Sequence, residues 1–232
     1  MLCAIPMFIK FGFWQYNKAE QKQALQAMYE AALTQSAVPL PSEIEDVGSW
    51  RYRQVRVSGE YQAGRQILLD NQVAQDQAGY HVITPLRIAG SSQYILVDRG
   101  WVPAYPDRSQ LPAIETPDGT IEVEGHLWLP SDKFYHLDSG ASASNDQDWE
   151  VVWQNMDMVR YMDAVHFSVM PMVIRLDPKS NAGGYYREWP KPAERVTTHL
   201  GYAYQWFGFA VASVLIWLFV SFKPMDKSQN AV

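Results

Sequence analysis

The chain's candidate metal ligands are five histidines (81, 126, 136, 166 and 199), one cysteine (Cys3) and two groups of methionines. The histidines are not spaced as metal ligands are. A lone cysteine excludes an internal disulfide and any zinc site built on paired thiolates. Met156-x-Met158 with Met162, and Met170-x-Met172, offer thioethers of the kind that hold Cu(I). However, 158 and 162 share one face of a helix, and 170 and 172 share one face of a strand. That is the spacing of gap-filling core methionines, so copper is not expected. His166-Phe167-Ser168 lacks the elbow or triad order of a nucleophilic site, and no other nucleophile–base pair stands out, so the chain does not read as an enzyme. His81 and His126 fall in strand-like segments and read as satisfied sheet histidines, and His136 reads as solvated in a polar loop. His199 is different. It immediately precedes an uncharged run, and Tyr202 and Trp206, three and seven residues on, share its face of a helix. Two readings stay open from these residues alone. Either His199 caps the helix start beside an interfacial aromatic belt, or it presents an imidazole beside an aromatic wall whose other side is Trp14.

The elements that must position these residues begin with that run. Residues 200–222 carry no charge and one amide, Gln205. They would extend about 34 Å as a helix, enough to cross a bilayer. Tyr202, Tyr204 and Trp206 sit where amphipathic rings favour the headgroup layer, and Lys223 and Pro224 end the run. Residues 1–16 are apolar apart from Lys10 and Gln15 but fall short of the roughly 20 residues a span needs. Lys10 would have to snorkel. Without a basic leader or a small-residue cleavage site this is not a signal peptide. It reads as the distal part of a first transmembrane helix, one that is short or that the chain enters partway. The expected organisation is a span at 1–16, a soluble domain at 17–199, a second span at 200–222 and a tail at 223–232. Lys223 and Lys227 favour a cytoplasmic C-terminus, whereas Lys18 and Lys22 argue the opposite.

The domain itself is acidic. The whole chain carries a formal charge of −6, and residues 17–199 contain 16 basic and 24 acidic residues, giving −8. Without a basic cluster, nucleic acid is excluded as a partner. Residues 17–34 have helical composition and spacing, and two prolines and a glycine break the pattern before residue 50. Short segments rich in Val, Ile, Tyr and Trp follow at 51–61, 65–70, 81–88, 93–102, 121–128, 150–153 and 171–176. One helix is predicted at 155–166 and a polar loop at 131–148. The expected fold is α+β and membrane-anchored: two transmembrane helices flanking a mainly antiparallel β domain, with closure into a small barrel as one alternative.

Four local patterns, in order along the chain, resemble the Surfeit locus protein 1 family. They are Gly12-Phe13-Trp14-Gln15; Gly79-Tyr80-His81-Val82-Ile83-Thr84-Pro85-Leu86; Val97-Asp98-Arg99-Gly100-Trp101-Val102-Pro103; and His199-Leu200-Gly201-Tyr202-Ala203-Tyr204-Gln205-Trp206-Phe207-Gly208. Asp98 stands where that family has Asn, Thr197 and Thr198 replace two Asn, and Gln205 replaces Thr. Each pattern is weak by itself, and four in register within a two-span topology are specific. Arg99, Gly100 and Trp101 read as structural, with Arg99 paired to a carboxylate across the sheet. Thr84-Pro85 reads as an edge or end of a strand.

The resemblance implies an assembly factor of the bacterial plasma membrane or the mitochondrial inner membrane, its domain on the periplasmic or intermembrane side. It implies assistance to haem a insertion into subunit I of cytochrome c oxidase, with subunit I, haem a synthase and the lipid bilayer as partners. Another haem-copper oxidase, such as a quinol-oxidising one, is an alternative client. With the family in view, His199 becomes the expected ligand to haem iron, with Tyr202, Trp206 and Trp14 as the surrounding contacts. The competing reading is an accessory subunit of a respiratory oxidase without haem handling.

Overall fold

The computed structural model describes residues 4–131, 149–190 and 196–222. Cys3, His136, most of the predicted 131–148 loop and the tail after Phe222 lie outside the described residues. The chain forms two compact units, residues 1–30 with 191–232, and residues 31–190.

The first unit holds two long helices. Helix α1 (Ala4–Leu33) merges the two segments expected at 1–16 and 17–34 into one uninterrupted element. Helix α3 (Val196–Ser221) is, among the described residues, the one helix long and apolar enough to cross a membrane. Helix α1 does not meet that measure, because its aromatic first half gives way to Asn17, Lys18 and Glu20. Because α3 already includes Val196, Thr197 and Thr198, His199 lies within the helix rather than capping it.

The second unit is a barrel with additions. Its strands are β1 (Val38–Pro39), β2 (Gln54–Tyr61), β3 (Ile67–Ala74), β4 (Gln77–Ile88), β5 (Tyr94–Pro103), β6 (Ile121–Trp128), β7 (Val152–Trp153) and β8 (Val169–Leu176). Helix α2 (Met158–Ala164), shorter than the predicted 155–166, is capped by Asp157, whose side chain accepts from the Arg160 N–H. The sheet order is β1-β2-β6-β8-β5-β4-β3-β7, and a further β2–β4 pairing closes β2, β6, β8, β5 and β4 into a five-stranded barrel. Pairing is mainly antiparallel, with β1–β2, β3–β7 and β5–β8 parallel.

Strands β5 and β8 are apolar on both faces because each face has a core to fill. Val55, Val57, Leu86, Ile95, Val97 and Ile174 join one cluster drawn from all five barrel strands. Leu96 and Val173 belong to a second cluster, under α2 and β3. The methionines divide the same way. Met170 and Met172 pack in the barrel cluster, and Met156, with Met158 and Met162 at its margin, in the other.

Pro85 corrects the expectation of a strand edge or end, since β4 runs through it in mid-strand. On one side it lies opposite Leu96. On the other, β4 changes partner there, from β3 at Ile83 to β2 at Leu86. A residue without an N–H is tolerated where one ladder ends and the next begins.

Between His81↔Trp101 and Ile83↔Asp98 the strand β5 carries one extra residue, a bulge. Gly100 occupies it at φ +112°, and a Cβ there would lie 2.6 Å from the Tyr186 carbonyl oxygen. The bulge follows Arg99, whose side chain is fully buried. Contrary to expectation, among the described residues it pairs with no carboxylate. Its Nε donates to the Gly183 carbonyl at 2.8 Å and one terminal nitrogen to the same oxygen at 2.6 Å and to the Glu115 carbonyl. The other terminal nitrogen donates to Thr116 Oγ1 at 3.0 Å and Gln66 Oε1 at 3.3 Å. The rings of Tyr61 and Tyr185 lie 4.9 and 5.2 Å from the guanidinium carbon. Burial lowers the guanidinium pKa from its usual value, yet Arg remains charged in proteins. The cation is thus held by carbonyl dipoles and aromatic faces, and it clamps two loops onto β5.

Replacing Arg99 by Met takes the charged donor from the Gly183 carbonyl and leaves the Glu115 carbonyl with the Tyr185 hydroxyl alone, each lost charged hydrogen bond being worth about 1.5–3 kcal/mol. Thermal melting of the full-length protein, followed by near-ultraviolet dichroism, is therefore expected to show a marked loss of stability. An unchanged melting temperature would remove Arg99 from this role.

Candidate functional site

Helices α1 and α3 run antiparallel, and their contact is built from small residues, aromatic rings and one polar pair. Gly12 is buried, and a Cβ there would approach the Phe207 ring to 2.5 Å. Ala203 and Ala210 are the buried residues of α3. Small residues at such positions let helices approach closely without relying on water. Trp206 stacks on Phe8 with centroids 5.8 Å apart and lies 5.1 Å from Phe11, while Phe13 meets Phe207 edge-on at 5.3 Å. At the other end of this contact, His199 Nδ1 lies 2.7 Å from Gln15 Oε1.

That hydrogen bond determines what the imidazole can do. With the amide oxygen as acceptor, Nδ1 carries the proton and Nε2 keeps its lone pair. With Nδ1 engaged, Nε2 is the ring nitrogen left open to a metal, and Gln15 is the kind of second group that orients ligating imidazoles. Of the residues expected around it, Trp206 shares the α1-facing side of α3. Tyr202 and Trp14 do not join that packed face and are 50% and 53% exposed. Phe8 and Phe11, rather than Trp14, cover Trp206. Gln15 was the residue missing from the sequence-based site. Its signal was a lone amide in an apolar stretch.

A second polar cluster lies in the barrel unit. His126 on β6 is opposite Arg175 on β8, and Arg175 is opposite Asp98 on β5. Asp98, 1% exposed, accepts from His81 Nδ1 at 2.9 Å and from the Gly100 N–H at 3.2 Å. Arg175 Nε is 4.0 Å from the same carboxylate. The Arg175 guanidinium carbon lies 4.2 Å from the Trp128 ring and 5.3 Å from that of Trp189, whose ring is also 5.5 Å from His81 and 6.2 Å from His126. His81, Asp98, Trp128 and Arg175 line a cleft of about 210 Å³. An aspartate orienting a histidine is half of a nucleophilic site. Among the described residues no hydroxyl or thiol is seen to make a hydrogen bond to His81, and His126, Arg175, Asp98 and His81 form a charge ladder across the strands.

The sequence patterns therefore meet in pairs, and the family comparison concerns this same set of residues. The model of the SURF1 family matches residues 2–211. The chain belongs to the SURF1 family. A SURF1-like protein of Rickettsia felis is 25% identical over 94% of this chain and 93% of its own length. Surfeit locus protein 1 of Mus musculus is 21% identical over 89% of this chain and 69% of its own. The cytochrome oxidase assembly protein SHY1 of Saccharomyces cerevisiae is 25% identical over 65% of this chain and 40% of its own. In this SURF1-family chain the first and fourth patterns supply Gly12 with Phe207 and Gln15 with His199. The second and third supply His81 with Asp98, and Gly79 with Trp101.

The charge ladder makes stability depend on pH. Burial, and then the adjacent Arg175 cation, push the His126 pKa down to about 4. The folded protein therefore resists a proton that the unfolded chain accepts near pH 6.5. Stability is full above pH 6.5 and is lost as pH falls from there towards 4. His126→Gln is expected to flatten this acid limb in denaturant titrations of the full-length protein. A limb of unchanged steepness would show that other groups cause it.

Proposed function

We propose that this SURF1-family protein is an assembly factor for a cytochrome oxidase, with both α1 and α3 crossing the membrane and the barrel unit on the periplasmic or intermembrane side. In this reading it assists insertion of haem a into oxidase subunit I, with haem a as cargo. The observation that carries the reading is the Gln15–His199 bond, because it leaves His199 Nε2 as an iron ligand where α3 begins its uncharged run. The donor set fits such a cargo. An imidazole is presented with Nδ1 turned to Gln15, and Tyr202 and Trp14 are exposed aromatic surfaces on the two helices of the same unit. The yeast relative's name supports the oxidase as client. Bound haem would supply an iron centre that His199 could ligate through Nε2. The chain's own residues would orient that ligand, Gln15 accepting from its Nδ1–H. Haem a synthase as donor of the cargo is consistent with this role, and no reaction need be catalysed by the protein itself.

The test is co-expression with haem a biosynthesis, followed by absorption spectroscopy of the purified protein. A haem spectrum is expected for the native chain. His199→Ala should abolish or shift it while the protein stays membrane-inserted, and subunit I should be short of haem in cells carrying that variant. An unchanged spectrum with full oxidase activity would reduce His199 to a structural residue. Constant one-to-one recovery with mature oxidase would point to an accessory subunit instead.

A further inference from the structure

Lys10 is the one cation in the apolar half of α1, and it faces away from the contact with α3. Its neighbours on the helix surface, three and four residues away, are Pro6, Met7, Phe13 and Trp14, all exposed, with Met7 at 47% and Phe13, one edge of which meets Phe207, at 56%. No carboxylate lies within reach on its own helix, where the nearest is Glu20, and α3 carries no charged residue at all. Among the described residues Lys10 makes no ion pair.

Ring contacts fix its level along α3. Phe8 and Phe11 both touch Trp206, so Lys10 is level with Trp206. That is about 10 Å beyond His199 and about 22 Å short of Ser221 at the helical rise per residue. If both helices span the bilayer, as proposed above, Lys10 sits about 9 Å past Leu200, where the uncharged run begins, at the inner margin of the aromatic belt. Snorkelling offers a poor exit. In a helix the Cα–Cβ bond tilts towards the N-terminus, which on α1 is away from the nearer, His199 end. A cation held at such depth usually marks a paired functional contact.

We propose that the Met7–Lys10–Phe13–Trp14 face of α1 is a docking surface for a transmembrane helix of a partner protein. That helix would bear an Asp or Glu level with Trp206, paired with Lys10. The choice of a partner carboxylate over a lipid phosphate rests on depth and on the direction of the side chain. This inference depends on the two-span reading, and it assigns that reading a partner-binding face.

The test places a photo-crosslinking residue at Met7 in the full-length protein in its native membrane. An adduct with a membrane polypeptide is expected, retained in Lys10→Arg and reduced about tenfold in Lys10→Leu. Mass spectrometry of the adduct should locate an acidic residue, and reversing both charges should restore the yield lost in Lys10→Glu. Adducts with lipid alone, or a protein adduct indifferent to the charge at position 10, would overturn the proposal. In a Cys3→Ser background, Lys10→Cys should resist a membrane-impermeant maleimide. Labelling there would overturn the two-span reading together with this one, whereas protection with charge-independent adducts would overturn only the docking face.

Discussion

One hydrogen bond, from His199 to Gln15, gives the helix pair its chemical character. Rings and small residues account for the rest of the contact described between α1 and α3, and such packing tolerates sliding. A polar pair does not, because its hydrogen bond forms at one relative position of the two helices only. The bond therefore fixes the register in which Gly12 receives the Phe207 ring and Phe8 and Phe11 meet Trp206. The same register decides which residues of α1 face outward, Lys10 among them. It also decides the imidazole's tautomer. One interaction thus connects the packing of the pair, the availability of a ligand nitrogen and the identity of the uncovered face.

The barrel unit is organised around strand β5 in a comparable way. Alternation along the strand sends Val97 and Arg99 to one side and Leu96 and Asp98 to the other. The Gly100 bulge lets both polar residues be satisfied at once. Arg99 gathers the 115–116 and 183 loops, while Asp98 joins His81 and Arg175 into a ladder under Trp189. Burying charge is costly unless it is well partnered. Here the partners come from segments distant in sequence, so the charges act as cross-links between them.

Much of this was legible in the sequence, for physical reasons that can be named. An uncharged run long enough to cross a bilayer announces α3, and β-branched and aromatic clusters between turn residues announce the long strands of the barrel. Barrel closure was left open because it depends on the β2–β4 pairing, a contact about 27 residues apart that no local pattern encodes. The two-residue strands β1 and β7 are too short to carry a period. Arg99 was expected to find a carboxylate, as buried arginines often do, but backbone oxygens from two loops fill that place. No spacing rule could have supplied them. Gln15 was quoted within a pattern without a role, since its partner lies 184 residues away. The four patterns were read as separate signatures, and in the fold they are two contacts, each seen from both sides.

The central claim is that Gln15 holds His199 with its proton on Nδ1 and its lone pair on Nε2. Nitrogen-15 solid-state NMR of the full-length protein in bilayers, with labelled histidine, reads the tautomer directly. The account predicts a protonated Nδ1 and a bare Nε2 for His199, with that preference lost in Gln15→Leu. A proton resident on Nε2 in the native protein, or a tautomer indifferent to Gln15, would contradict it.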